Sequence, residues 1–309
     1  MDIHTLVYTS PSKLTNVTRI DLDLLKKAAE KRKHNLKIIF ASDCQLFLGK
    51  RPKIFIKNKK EKIKILLVRP NFLSTNLEFR CALINQFQLA GINVVNKSFP
   101  VLRAKDKLRT MQVLSRNNVP IPKTYVVVNS SHIDDIIKEM GSLPVILKTS
   151  TGSHGSGVAI VESKRGLRSV TEMFTGGNNP IIIQEYIKES KGKDLRVFII
   201  GKRIMGVMER IAKKKGEFRS NFQLGGRVRL AELSRKEKDV AFAAVKACGL
   251  DIAGVDILRT KKGPKVLEVN ANPGLSGITL ATKRDIAGEI IEYVVKKAKR
   301  AKKNKKNVS

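Results

Sequence analysis

The sequence predicts a mixed α/β and α+β protein, with a small α/β unit at residues 1–100 followed by two α+β units at 101–187 and 188–309. Three observations carry that reading. Strand-like runs alternate with helical periodicity through the first hundred residues. Beyond them, strands follow one another across short turns. A hydrophobic content of 42% in 309 residues is enough for more than one core.

In chain order, HTLVYT reads as a strand and RIDLDLLKKAAEKRK as an amphipathic helix with Ile20, Leu24 and Ala28 on one face. LKIIFAS is the next strand, and PKIFIK and KIKILLVRP are two more on either side of the polar KNKKEK turn. EFRCALINQFQLA is a helix stopped by Gly91 before the strand INVVN. In the second unit RAKDKLRTMQVLSRNN reads as one helix ended by Pro120 and Pro122. TYVVV, LPVILK, VAIVE and PIIIQEYI are strands, with helices near residues 131–140 and 163–174. The third unit opens with the strands DLRVFIIG and RIMGVMERI. The helix KEKDVAFAAVKACG, a strand pair and a long terminal helix follow.

Several function classes are excluded early. No apolar run reaches the ~18 residues of a membrane span, and MDIHTLVYTSPSK lacks the layout of a signal peptide, so a cytoplasmic protein is expected. Cys44, Cys81 and Cys248 are scattered and form no CxxC, so they read as buried thiols. His4, His34, His132 and His154 lie in no metal-protease spacing, and GSHGSG does not satisfy the GxSxG elbow. The charge is extreme, with 61 basic against 27 acidic residues and a net of +34, which attracts polyanionic partners without choosing among them. Aromatic content of 5% and the absence of tryptophan weaken a base-stacking surface.

The stretch KTSTGSHGSGV, residues 148–158, raises the question of phosphate binding. Lys148 precedes Gly152, Gly155 and Gly157, whereas a Walker loop places lysine after its glycines and opens a helix. The following VAIVE is strand-like, so the loop joins two strands. It reads either as an anion-cradling hairpin over Lys148 or as a plain flexible hairpin.

GVDILRTKKGPKVLEVNANPG, residues 254–274, favours the first. A hairpin centred near Lys262 sets Asp256 opposite Glu268, with Val266, Glu268 and Asn270 on one face and Leu267 and Val269 on the other. Adjacent carboxylates need a cation. With an asparagine oxygen beside them the donor set is all oxygen and suits magnesium or manganese, unless Glu268 is neutralised by one of the many lysines. Arg196 and Arg210 alternate with apolar neighbours and suit either a bidentate grip on a carboxylate or ion pairing.

Taken together, RAKDKLRTMQVL, VILKTSTGSHGSGV, QEYIKESKGKDLRVFIIG, MERIAKKKGEFRSNFQLGG, AGVDIL and LEVNANPGLSGI resemble the ATP-grasp carboxylate–amine ligases, and within them the RimK-like glutamate ligases that modify ribosomal protein, over essentially the whole chain. The resemblance implies an ATP-grasp fold, two α+β lobes holding ATP, preceded by a pre-ATP-grasp domain. It implies that Lys107 and Lys148 contact ATP phosphates, and that Gly155, Ser156 and Gly157 close over them. Gln184, Glu185, Tyr186 and Ile187 would hold adenine, and Asp194 would serve the ribose side. Arg219, Ser220 and Asn221 would line the nucleotide and acceptor site, while Asp256, Glu268 and Asn270 would hold one or two magnesium or manganese ions. Arg210, Arg219 and Asn270 are the expected catalytic residues. Asn272 and Ser276 stand where the family tends to have serine and glutamate, on the acceptor side.

The implied partners are ATP, an amino acid (glutamate foremost) and a carboxylate acceptor such as the acidic C-terminus of a small-subunit ribosomal protein. A homo-oligomer and ribosome or RNA association through the basic surface are further expectations. Two alternatives stay open from the sequence: a glutamate ligase for a small-molecule cofactor or an amino-group carrier protein, and a nucleic-acid-binding protein on a vestigial fold.

Overall fold

The protein is described by a computed structural model, in which residues 1–69, 76–149, 157–175, 179–213 and 226–306 are described. The chain begins β1 (Asp2–Val7), α1 (Asn16–Lys31), β2 (Asn35–Phe40), β3 (Cys44–Phe47), β4 (Lys53–Ile56), β5 (Ile65–Val68), α2 (Leu77–Leu89) and β6 (Asn93–Val95). Strands in the order β2-β1-β5-β6 form a parallel sheet, while β3 and β4 leave it as an antiparallel hairpin. The near-continuous apolar run ILLV of β5 is buried throughout, as a central parallel strand covered on both faces must be.

Helix α1 starts at the side chain of Thr15, which accepts the backbone N–H of Thr18. Its buried face is Asp21, Leu22, Leu25, Ala28 and Ala29, and Ile20 is 48% exposed, which corrects the expected Ile20–Leu24–Ala28 stripe. The reason is polar. Asp21 must face inward because it accepts from Arg69 Nη2 at 2.9 Å and from the backbone N–H of Leu275 at 3.1 Å.

The middle of the chain is α3 (Ser98–Lys105), α4 (Lys107–Arg116), β7 (Thr124–Val127), α5 (Ile133–Met140), β8 (Val145–Thr149), β9 (Val158–Val161), α6 (Lys164–Thr175) and β10 (Ile181–Glu185). Its strands form the antiparallel sheet β7-β10-β8-β9. The one helix expected over residues 103–118 is two. Asp106 leaves helical geometry at φ −103° and ψ 116°, and its side chain accepts the backbone N–H of Arg109 at 3.0 Å to cap α4. Lys105 therefore ends one helix and Lys107 begins the next.

The rest is β11 (Lys193–Ile200), β12 (Arg203–Ile211), β13 (Arg227–Leu230), α7 (Arg235–Cys248), β14 (Ile252–Leu258), β15 (Lys265–Asn270), α8 (Leu275–Thr282) and α9 (Ile286–Lys306). The strands form the antiparallel sheet β13-β12-β11-β14-β15. Ser234 and Glu237 start α7 with a reciprocal capping box, and Gly249 ends it in the left-handed region at φ 74°. Strand β13 and helix α8 lie outside the elements expected from sequence.

One apolar core sits under the β7–β10 sheet and includes Val127, Leu147, Leu167 and Ile183. Two others join the ends of the chain: Leu66 and Phe87 pack with Val197 and Val255, and Ile3 and Leu25 pack with Phe198 and Ile290. The first sheet is thus fastened to the last. Asn96, 1% exposed, reinforces the joint, its amide donating to the carbonyls of Ile252 and Ala271 and accepting the N–H groups of Asp251 and Ile252. Those bonds fix the loop that leaves β15. No helix among the described residues is long and apolar enough to cross a membrane.

Candidate active site

Strands β14 and β15 pair so that Asp256 lies directly opposite Glu268, as the hairpin count predicts. One residue further the count fails: a bulge between Asp256 and Ile257 pairs Ile257 with Val266. The alternation of β15 breaks there. Val266 and Val269 are both 0% exposed in the same core, while Glu268 and Asn270 are half-buried, which corrects the expected grouping of Val266 with Glu268.

Asp256 is 2% exposed, and its charge is met by two guanidinium groups. Arg196, opposite it on β11, donates from Nε to Oδ1 at 2.7 Å and from Nη2 to Oδ2 at 2.6 Å. Arg210, on β12, donates from Nη2 to Asp256 Oδ2 at 2.6 Å and grips Asp194 with two bonds of 2.6 and 2.8 Å. The bidentate grip expected of these arginines thus falls on the protein's own carboxylates. Burial acts to raise the Asp256 pKa, but Arg196 and Arg210 outweigh it and hold the carboxyl below its ordinary value. With its amide oriented to satisfy both neighbours, Asn270 donates to Glu268 Oε1 at 3.1 Å and accepts from Arg196 Nη2 at 2.8 Å.

Glu268 is neutralised differently. Lys105, Lys107 and Lys148, on α3, α4 and β8, all feel its attraction. Burial pushes Lys105 and Lys148 each down to about 8, and the attraction of Glu268 opposes that fall. Lys107 is likewise lowered by burial against the pull of Glu268 and Asp106. Lys148 Nζ is steered by Gln184 Oε1 at 2.6 Å, and Gln184, 2% exposed, is itself fixed by donating to Thr124 Oγ1 at 2.9 Å. Lys105 escaped the sequence reading. Its signal was only its place two residues before Lys107, which means little until the helix breaks at Asp106.

Glu185 accepts the backbone N–H of Lys123 at 2.9 Å and the ammonium of Lys265, which ties β10 to β15. Tyr186 follows it half-buried, and Ile187 is 9% exposed. Asp194, 6% exposed, stands in the arginine network. Strands β8 and β9 pair antiparallel, with Lys148 opposite Val158, so the glycine-rich stretch does join two strands. Gly157 sits at φ 70° where a Cβ would collide with Thr149, so that exit needs glycine. His154, Gly155, Ser156, Arg219, Ser220 and Asn221 lie outside the described residues.

The donor set tests whether a divalent cation fits. Among the described residues no group of three His, Cys, Asp or Glu is placed to hold a metal by itself. What the hairpin carries is two carboxylates and one carboxamide oxygen, with no nitrogen or sulfur donor, and of these the Asp256 and Asn270 oxygens also accept from Arg196 and Arg210. That suits a hard, oxygen-seeking ion completed by water and phosphate oxygens, and it fits magnesium.

Comparison with known proteins shows the family and the fold. A family model for the RimK-like ATP-grasp domain matches residues 104–294. A probable alpha-L-glutamate ligase of Vibrio vulnificus strain YJ016 is 39% identical over 276 residues, covering 89% of this chain and 91% of that protein. The crystal structure of a RimK domain protein ATP-grasp from Sphaerobacter thermophilus superimposes with a TM-score of 0.71 at 20% identity, covering 95% of this chain and 99% of that one. The ATP-grasp ligase PsnB, solved with minimal precursor, Mg and ADP, gives a TM-score of 0.71 at 20% identity over 96% and 98% of the two chains. The last two show the shared fold.

Proposed function

The chain belongs to the RimK-like ATP-grasp family of ATP-dependent carboxylate–amine ligases, and we propose that it adds glutamate to the C-terminal carboxylate of an acidic protein, a small-subunit ribosomal protein foremost. The observation that carries this reading is the pair Asp256 and Glu268, one neutralised by arginines and the other facing three lysines. A cleft of that charge receives a polyphosphate and a carboxylate together.

In the proposed reaction an acceptor carboxylate oxygen attacks the γ-phosphorus of ATP, the bond to the bridging oxygen of ADP breaks, and an acyl-phosphate forms. The amine of the amino acid then attacks the acyl carbon, loses a proton and displaces inorganic phosphate. Lys107 and Lys148 bind the phosphates, and the Gln184 contact sets the direction of Lys148. Magnesium or manganese, as one ion or two, would be held by Asp256, Glu268 and Asn270 and would supply charge neutralisation for the phosphates. Arg210 and Arg196 keep Asp256 ionised and immobile. Gln184 to Ile187 receive adenine, Asp194 serves the ribose side, Arg219, Ser220 and Asn221 contact nucleotide and acceptor, and Gly155, Ser156 and Gly157 cover the phosphates so that the acyl-phosphate is shielded from water.

In this reading residues 1–100, 101–187 and 188–309 are the pre-ATP-grasp domain, small lobe and large lobe of a cytoplasmic homo-oligomer. The net charge of +34 draws the acidic acceptor and the ribosome toward it. A groove beside α9 is lined by Arg32, His34, Lys296, Lys299 and Arg300 together with Glu292 and Val295, and Arg32 is paired there with Asp285 and Glu292. The reading is tested by incubating the protein with ATP, magnesium, each amino acid in turn and a panel of acidic peptides, following nucleotide and product mass. ADP with a glutamate mass increment is expected, and AMP release contradicts the mechanism.

A further inference from the structure

Arg69 is a buried cation that the proposed chemistry has not used. It is the first residue after β5, at the C-terminal end of the parallel sheet, where open α/β sheets bind their ligands. Only 5% of it is exposed. Its Nη2 donates to Asp21 Oδ2 at 2.9 Å and to the carbonyl of Pro273 at 3.0 Å, yet its Nη1 is buried with no hydrogen-bond partner among the described residues. A second orphan lies next in the chain to Pro273, the residue whose carbonyl Arg69 holds. Asn272, the neighbour of Pro273, has a buried Oδ1 that also lacks a partner. Buried donors and acceptors are nearly always satisfied, and an unmatched nitrogen on a guanidinium costs more than a neutral one.

The surroundings say what is missing. Pro273, whose carbonyl Arg69 holds, packs close to Gly254 of β14, two residues before Asp256, so Arg69 borders the hairpin that carries Asp256 and Glu268. The loop is held tightly there. A Cβ on Gly254 would stand 2.8 Å from Pro273, so the chain of β14 leaves room for Pro273 only because residue 254 is glycine. Asp21 already meets part of the Arg69 charge, so what is missing is an acceptor for its Nη1 and an N–H donor for Asn272 Oδ1. An amino acid carries both on one carbon.

We propose that Arg69 anchors a carboxylate of the incoming amino acid, with Asn272 Oδ1 accepting an N–H of its amine. This assignment rests on the ligase reading above and adds the residues that select the amine substrate. Arg69 is a binding and positioning residue: it sets the amine beside the hairpin. A free phosphate would satisfy Arg69 without needing Asn272, which gives the test a second arm.

The test uses the full chain with magnesium and a non-hydrolysable ATP analogue. Binding of glutamate, its α-monoamide, its γ-monoamide and inorganic phosphate is measured by calorimetry, and KM is measured for glutamate and ATP. The parent should bind glutamate about tenfold more tightly than one of the two monoamides, as loss of a charge-assisted bidentate contact requires. Arg69→Lys keeps a charge for Asp21 but not the second nitrogen. It should erase that preference and raise the glutamate KM about tenfold, with the ATP KM changed less than about twofold. Asn272→Ala, outside the buried ion pair, should raise the glutamate KM alone and serves if Arg69→Lys fails to fold. A parent that binds both monoamides as well as glutamate overturns the anchor. So does Arg69→Lys weakening all three compounds equally, phosphate binding that competes with glutamate in the parent but persists undiminished in Arg69→Lys, or an unchanged glutamate KM in Asn272→Ala. If the parent forms ADP with a different amino acid and not with glutamate, the glutamate reading fails, and Arg69 is judged by the same comparison on that amino acid and its carboxamide.

Discussion

Asp256 and Glu268 face each other across one register pair, yet they are neutralised in opposite ways. Asp256 is 2% exposed and pinned by two guanidinium groups at 2.6–2.7 Å, while Glu268 is half-buried beneath lysines whose own charge is weakened by burial. The difference teaches a division of labour. Arginine forks stay charged and fix geometry, so the Asp256 side is scaffold as well as site. Lysine ammoniums are compact point charges on long stems, and the one on Lys148 is aimed by Gln184, so the Glu268 side is held ready for substrate.

The comparison breaks most visibly in stability. Asp256→Ala leaves Arg196 buried without its carboxylate and strips Arg210 of one of its two, and should cost about 3–5 kcal/mol in denaturant unfolding, whereas Glu268→Ala should cost no more than about 1 kcal/mol. Equal losses would erase the distinction. In activity the order reverses its meaning: Glu268→Gln should lower magnesium-dependent ADP formation at least about 100-fold in a protein of parental melting temperature, and unchanged turnover would remove Glu268 from the site. Lys148→Ala should weaken ATP binding by about tenfold or more in a direct titration. Gln184→Ala, which only unsteers that lysine, should weaken ATP binding by about threefold and leave the ADP product unchanged. The smallest effect is expected from deleting residues 300–309, which should reduce association with acidic acceptors at low salt, leave ATP affinity within about twofold, and disappear at high salt.

The same two carboxylates show what the sequence made legible. Their pairing followed from counting out from the KKG turn, since a hairpin's register depends on nothing distant. The bulge beside Asp256 did not follow, because an extra residue in one strand is decided by what packs beneath it, here Val266 and Val269 in one core. The lysines split likewise. Lys148 stands out beside its glycine-rich stretch and Lys107 through family resemblance, but Lys105 waits on the break at Asp106, where a side-chain cap overrides a continuous helical pattern. Arg196 and Arg210 suit either a bidentate grip on a carboxylate or ion pairing from sequence; Asp194 meets Arg210 across the consecutive strands β11 and β12, whereas Asp256 reaches Arg196 only through the sheet order. For α1 the apolar periodicity misjudged the face, because a buried ion pair between Asp21 and Arg69 turned it. Polar groups whose partners lie far along the chain are the common thread.

The central claim is that an acceptor carboxylate is activated as an acyl-phosphate. It is tested most directly by supplying an acidic acceptor peptide labelled with ¹⁸O in its C-terminal carboxylate, together with ATP, magnesium and glutamate, and reading the released phosphate by mass. One labelled oxygen per inorganic phosphate is predicted, in step with ADP and with peptide extension. Unlabelled phosphate, or label carried into AMP, would contradict it.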